Sequence, residues 1–252
     1  MAGRASPQAR PRGRHALRSR AFADELVRDA RVTPGALVLD IGAGSGVISG
    51  ALRAAGAQVR AIELDAVALR ELRARFGADA RVEIVEADAT TVPLPAEPFA
   101  VVANLPFAAG TAILRRLLSD PRVPLTQLDV IVEWGLAAKR TAVWPSTLLG
   151  CYWGAWYELS VVRRVPRSAF APPPSVDAAV LRAVRREEPL VLAAEARRYL
   201  AFLELGFADR RGLRYVVPRK ALRAVAFAND ARARDLGPRD WATLYRHVHG
   251  RG

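Results

Sequence analysis

The chain has 252 residues, 51% of them hydrophobic, enough for a sizeable core and too many for a disordered chain. It holds no apolar run near the ~18 residues of a membrane helix, and no apolar stretch follows the basic N-terminus as a signal peptide requires. One cysteine, Cys151, and histidines only at 15, 247 and 249 leave no internal disulfide and no zinc-ligand spacing, so a cytoplasmic protein without metal and away from membranes is expected, and it is taken to act as a monomer.

The net charge is +13, almost all of the base being arginine, with lysine only at 139 and 220. A GC-rich genome accounts for arginine over lysine but not for an excess of base over acid. Residues 1–24 carry +5, residues 25–184 carry +1 and residues 185–252 carry +7. A near-neutral centre between basic ends points to a polyanion held from both sides; the alternative is a disordered tail and a solvated helix face.

Residues 1–14 mix Pro, Gly, Ser and Arg without periodicity and predict a flexible basic arm. Helical spacing runs from Phe22 through Leu26, Val27 and Ala30 until Thr33-Pro34-Gly35 ends it. Strands are then predicted at 36–40, 59–63, 82–86, 99–103 and 128–132, alternating with helices at 47–55, 66–76, 111–118 and 136–141. That alternation predicts an α/β fold, a parallel sheet covered on both faces. Residues 157–165 and 178–184 read as a closing pair of strands. After Glu188-Pro189 the apolar spacing is helical only, in Tyr199, Leu200, Leu203 and Phe207, with breaks at 209–212 and 229–230. The predicted organisation is an arm at 1–14, an α/β domain at 15–188 and a small basic helical domain at 189–252.

Asp40-Ile-Gly42-Ala-Gly44-Ser-Gly46 follows the first predicted strand of the sheet and opens a helix. Glycines serve where a chain turns sharply against a ligand, and the ligand then sits at the carboxyl end of the sheet. The spacing is not the G-x-G-x-x-G of dinucleotide enzymes. Glu63, 21 positions after Gly42, ends the second strand of the sheet and can accept from both ribose hydroxyls of an adenosine ligand. Asp88 can accept from an adenine amino group while the backbone N–H of Ala89 donates to the ring. Each carboxylate alone could be a solvated strand end; three polar strand ends in register favour a nucleoside cofactor.

The fourth strand runs into Asn104-Leu105-Pro106-Phe107. An exocyclic amine on a purine is a poor nucleophile because its lone pair is delocalised. The Asn104 side-chain carbonyl and the Leu105 backbone carbonyl can each accept one N–H, drawing the nitrogen toward tetrahedral geometry. Pro106 stiffens the turn, and Phe107 offers a face for an extruded base. An Asn-x-Pro-aromatic turn also occurs by chance, but here it ends a strand 60 positions after Gly44.

This set resembles the rRNA adenine-N6 methyltransferases, which comprise the erythromycin-resistance methylases (Erm family) of the large subunit and the dimethyladenosine transferases of the small subunit. The resemblance rests on Asp40-x-Gly42-x-Gly44-x-Gly46, Glu63-Leu64-Asp65, Glu86-Ala87-Asp88-Ala89, Asn104-Leu-Pro-Phe107 and Phe170-x-Pro172-x-Pro174-x-Val176-Asp177, and spans nearly the whole chain. Val132-Glu133-Trp134, Ala137-Ala-Lys139 and Trp153-Gly-Ala-Trp156-Tyr157-Glu158 lean toward the Erm branch, although the tryptophans are equally readable as core. The resemblance implies a Rossmann-like class I methyltransferase sheet and S-adenosyl-L-methionine as cofactor, with ribosomal RNA as partner, 23S favoured over 16S. It further implies macrolide-type antibiotic resistance, catalytic residues Asn104, Leu105, Pro106 and Phe107, and a cofactor site of His15, Leu17, Gly42, Gly44, Gly46, Glu63, Leu64, Asp88, Ala89 and Asn104. A non-catalytic RNA-binding factor on the same fold is the remaining alternative. Where the family has Ser-Gln-Asn-Phe-Leu, this chain has Gly13-Arg14-His15-Ala16-Leu17, and Glu133 and Gly135 replace the usual Gln and Glu. His15 either takes over a polar contact or is an ordinary exposed histidine.

Overall fold

The structure, a computed structural model, describes residues 15–142, 145–209, 212–224 and 231–250. The predicted arm at 1–14 and the predicted break at 229–230 lie outside them. In chain order the elements are β1 (Ala16–Leu17), α1 (Arg20–Asp29), β2 (Leu37–Ile41), α2 (Val47–Ala54), β3 (Gln58–Glu63), α3 (Ala66–Phe76), β4 (Val82–Glu86), β5 (Phe99–Asn104) and α4 (Gly110–Leu118). They continue with β6 (Leu125–Glu133), α5 (Trp134–Thr141), α6 (Leu148–Trp153), β7 (Tyr157–Val165), β8 (Phe170–Ala171), β9 (Ala178–Arg185), α7 (Ala196–Ala208), α8 (Arg219–Ala224) and α9 (Pro238–His249).

Seven strands form one sheet in the order β4-β3-β2-β5-β6-β9-β7. The chain builds outward from β2 through β3 to β4, then returns and builds the other way through β5 and β6. The strand order therefore reverses between β2 and β5, and a crevice opens outside their carboxyl ends, where α/β sheets bind ligands. The expectation of a parallel sheet is met by β4, β3, β2, β5 and β6; in the expected closing pair, β9 runs antiparallel to both β6 and β7. After β6 the helices α5 and α6 carry the chain over to β7, which runs in the same direction as β6, and β9 then returns between them, antiparallel to both.

Local chemistry sets the element ends. Asp65 caps α3 by accepting from the backbone N–H of Val67 and Ala68 at 3.0 and 2.9 Å. The Thr147 hydroxyl caps α6 by accepting from Gly150 N–H at 3.2 Å. Helix α6 was not expected, because Leu-Leu-Gly-Cys-Tyr-Trp is apolar all round and shows no period. Strand β1 was missed because two residues carry no alternation; it pairs antiparallel with β8, Ala16 opposite Ala171 and Leu17 opposite Phe170.

Neighbouring strand residues face opposite layers. Val102 and Ile131 pack with Ala23, Leu26 and Ile48 of α1 and α2. Val101 and Val130 pack with Leu114 of α4, Trp153, Tyr199 of α7 and Trp241 of α9. The buried side chains of α7 and α9 thus belong to the same apolar cluster as the sheet. Trp153, Trp156 and Trp241 are core residues, at most 2% exposed. One buried charge crosses the sheet: Asp129 of β6 is ion-paired at 2.6 Å with Arg182, its register partner on β9. Arg182 also donates to the carbonyl of Asp29, tying the end of α1 to the sheet.

Candidate active site

The glycine loop occupies the crevice at the tip of β2. Gly42 (φ +72°) donates to the Ile62 carbonyl at 2.8 Å, and a Cβ there would lie 3.2 Å from Pro106 Cδ, so the loop touches the Asn104–Phe107 turn directly. Gly46 (φ +80°) opens α2, and a Cβ there would meet Leu72 and Phe76 of α3 at 2.6 Å. Its job is close helix packing. A Cβ on Gly44 would meet nothing within 4 Å. The loop backbone at Gly44 therefore faces open space, as a ligand-cradling backbone must.

Glu63, at the end of β3 and buried, braces this loop. Its Oε2 accepts from Gly44 N–H at 2.9 Å, and its Oε1 accepts from the N–H groups of Leu64 and Asp65 at 2.8 Å. The sequence reading assigned Glu63 to the ligand alone and did not see this bracing. Leu64 beside it is 60% exposed, an apolar side chain left open at the crevice. Asp40, at the tip of β2, is buried and accepts from the Ser49 hydroxyl at 2.6 Å; burial pushes its carboxyl up to about 7. Asp88 lies in the turn after β4 and is exposed. It accepts from the N–H and hydroxyl of Thr90, both at 2.7 Å, and these bonds hold its carboxyl below the ordinary carboxylate range. Ala89 is half-buried against the core.

Asn104 ends β5, and Leu105 N–H donates to the Ile131 carbonyl at 3.1 Å, fixing the turn against β6. Leu105 is buried; Pro106 (φ −57°, ψ 119°) leads into a single 3-10 turn whose first residue is the half-buried Phe107. The Asn104 side chain is the unusual group. Its Nδ2 donates to the His15 backbone carbonyl at 2.7 Å, while its Oδ1 is buried with no partner. A buried carbonyl oxygen without a donor costs about 1–3 kcal/mol. Such an oxygen is free to accept from a donor brought from outside.

His15 and Leu17 reach the crevice through the β1–β8 pair. Leu17 is buried in the apolar cluster that includes Phe170. The ring of His15 lies 5.3 Å from that of Phe107, and its Nδ1 is 2.9 Å from the Pro172 carbonyl. Phe107 in turn meets Phe170 edge-on at 6.1 Å. The expected site residues lie at the carboxyl ends of β2, β3, β4 and β5 and on the β1–β8 pair, where Glu63 bonds Gly44 and Leu64, Gly42 packs against Pro106, and Asn104 bonds His15. The sequence reading missed the docking of residues 170–172 under the N-terminal strand; the Pro-rich run marked the segment but not its partner. A surface hollow of about 360 Å³ between α1 and the far end of α2 is lined by none of these residues.

Among the described residues no group of His, Cys, Asp and Glu is placed to hold a metal ion, and no helix is long and apolar enough to cross a membrane.

Residues 9–248 match the family described as ribosomal RNA adenine dimethylase. The chain is 36% identical to the mycinamicin-resistance protein MyrB of Micromonospora griseorubida, over 93% of this chain and 78% of that protein. It is 33% identical to ribosomal RNA small subunit methyltransferase A of a Synechococcus strain, over 92% of this chain and 90% of that protein. Among solved structures it is similar to the 23S rRNA methyltransferase ErmE, with a TM-score of 0.81 and 29% identity, covering 92% of this chain and 98% of that one.

Proposed function

The chain belongs to the ribosomal RNA adenine dimethylase family, and from that premise we propose that it methylates the exocyclic N6 amine of an adenine in 23S rRNA, with S-adenosyl-L-methionine as donor, and so confers macrolide-type resistance. Two methyl groups on one adenine nitrogen without ring charge require the exocyclic amine, in keeping with the chemistry of the crevice. The single observation that carries the reading is the buried, partnerless Oδ1 of Asn104 at the carboxyl end of β5.

The residues fit the cofactor. The open backbone at Gly44, the exposed Leu64 and the orphan acceptor of Asn104 follow the carboxyl ends of β2, β3 and β5, where a nucleoside with a charged tail would sit. Gly42, Gly44 and Gly46 would carry the loop around it, Glu63 and Leu64 would flank its ribose, and Asp88 and Ala89 its adenine. His15 and Leu17 would close the N-terminal side. When bound, the cofactor supplies a methyl group on a positively charged sulfur, already activated for transfer.

The protein's own task is positioning. Asn104 Oδ1 and the Leu105 carbonyl accept the two N–H bonds of the target amine, and the lone pair is freed toward the donor. Phe107 stacks on the extruded base, held by Phe170 beneath it. Leu105 and the turn's bond to Ile131 keep the two acceptors converged. Ribosomal RNA would lie across the crevice, its phosphates held by exposed arginines such as Arg197, Arg198, Arg219 and Arg223. The arm at 1–14, which carries four further arginines, would add to that grip.

The small-subunit relative keeps 16S rRNA as the second reading. Methyl transfer from tritiated S-adenosyl-L-methionine to protein-free 23S and 16S rRNA separates the two. Label is expected in 23S rRNA, falling at least ~100-fold for Asn104→Ala. Label in 16S rRNA only, or equal label from both proteins, contradicts the assignment.

A further inference from the structure

We propose that His15 is a positioning residue for the transfer, clamping the Asn104 amide and the Phe107 ring together from the N-terminal strand. The inference rests on the methyl-transfer reading above and deepens it at one residue, where the chain departs from the family pattern.

Three contacts converge on His15. Its backbone carbonyl accepts from Asn104 Nδ2 at 2.7 Å. Its ring packs 5.3 Å from Phe107 at a 49° tilt. Its Nδ1 bonds the Pro172 carbonyl at 2.9 Å, with β1 pairing to β8 immediately beside it. The first contact decides which way the carboxamide faces. A backbone carbonyl can only accept, so the Asn104 NH2 must face it, and Oδ1 must face the opposite way. Turned over, two oxygens would oppose each other across 2.7 Å. The clamp thus fixes the one acceptor whose direction the transfer needs.

The ring contacts keep the clamp closed. A two-residue strand holds little by itself, since β1 offers only a short ladder to β8. The imidazole adds a bond to Pro172 and a face against Phe107, so base platform and amine acceptor are set by the same residue. Without the ring, β1 loosens, the amide turns between its two orientations, and the base and acceptor lose their register. A small misplacement of reacting groups is enough to slow a transfer that depends on alignment.

The chain holds two asparagines, Asn104 and Asn229, so selective 15N-asparagine labelling gives two side-chain NH2 pairs, and Asn229→Ser assigns them. In the wild type the Asn104 pair is expected to exchange slowly with solvent. In His15→Ala its exchange should rise about tenfold, and kcat at saturating S-adenosyl-L-methionine should fall about tenfold. His15→Gln, which keeps a donor for the Pro172 carbonyl, should recover most of the protection and part of the rate. Near-UV circular dichroism establishes that each variant is folded. A folded His15→Ala with unchanged Asn104 exchange and unchanged kcat overturns the clamp. So does a rate loss that saturating S-adenosyl-L-methionine abolishes. An inactive wild type with a protected Asn104 pair would contradict the reading of the site while supporting the clamp, which keeps the two claims apart.

Discussion

At the scale of single residues, the site holds polar groups away from water. Asn104 Oδ1 lacks a donor, and Asp40 is buried against Ser49, whose hydroxyl donates to it. Asp40 has a consequence for stability. Its folded carboxyl titrates near 7 against 3.8 when unfolded. Between those values the unfolded chain has released the proton and the folded chain still holds it, so stability falls as pH rises, by about 1.4 kcal/mol per unit. Below pH 3.8 the group contributes no difference; above pH 7 the full cost persists. Asp40→Asn, which keeps an acceptor for Ser49, should remove that slope. Urea unfolding at pH 5 and pH 8 checks it: the wild type should lose a few kcal/mol more than the variant across this interval, and equal losses would refute the buried acid. The Asp40 motif was legible in the sequence, but its protonation was not, since burial is a property of the whole fold.

At the scale of elements, legibility followed the strength of the local signal. Helix α3 was read at its true ends because Asp65 caps it and apolar positions recur at 69, 72 and 76. Strand β7 was read from 157 to 165 as observed. Strand β6 begins earlier than expected, at Leu125, because Thr126 and Gln127 look like loop and are held by partners: Thr126 donates to the Phe99 carbonyl and Gln127 to that of Ala30. Strands β1 and β8 exist only as a pair, and pairing over 150 residues has no local signature. The Asp129–Arg182 link between β6 and β9 is of the same kind. Arg182→Met should leave Asp129 buried without its ion-pair partner and lower stability by about 3–5 kcal/mol. The pair Asp129→Leu with Arg182→Met should restore most of it, as denaturant titration would show. A single variant as stable as wild type would mean the pair is ornamental to the fold.

For the molecule as a whole, the α/β class and the crevice were legible because the glycine loop, Glu63 and Asn104 all sit at strand ends of the same polarity. The relation of residues 189–252 to the sheet was not. Their charge and helical spacing suggested a separate unit, while Tyr199, Phe202 and Trp241 share one apolar cluster with Leu128 and Val130. Periodicity tells which face is buried, not against what. That packing fixes the exposed arginines of α7 and α8 to the body that carries the site, which suits a rigid polyanion-binding surface. Association with 23S rRNA should accordingly weaken with salt, with a log–log slope of about −3 to −5 if roughly four to six phosphates are held. Filter binding between low and moderate salt would measure it, and a flat dependence would remove the arginines from the interface.

The account turns on one buried carbonyl oxygen meeting an adenine amine, and mass spectrometry of 23S rRNA tests it most directly. RNA from cells expressing the wild-type chain should carry N6-methylated adenine at a site that is unmodified in cells expressing Asn104→Ala. The same mark in both, or in neither, would contradict it.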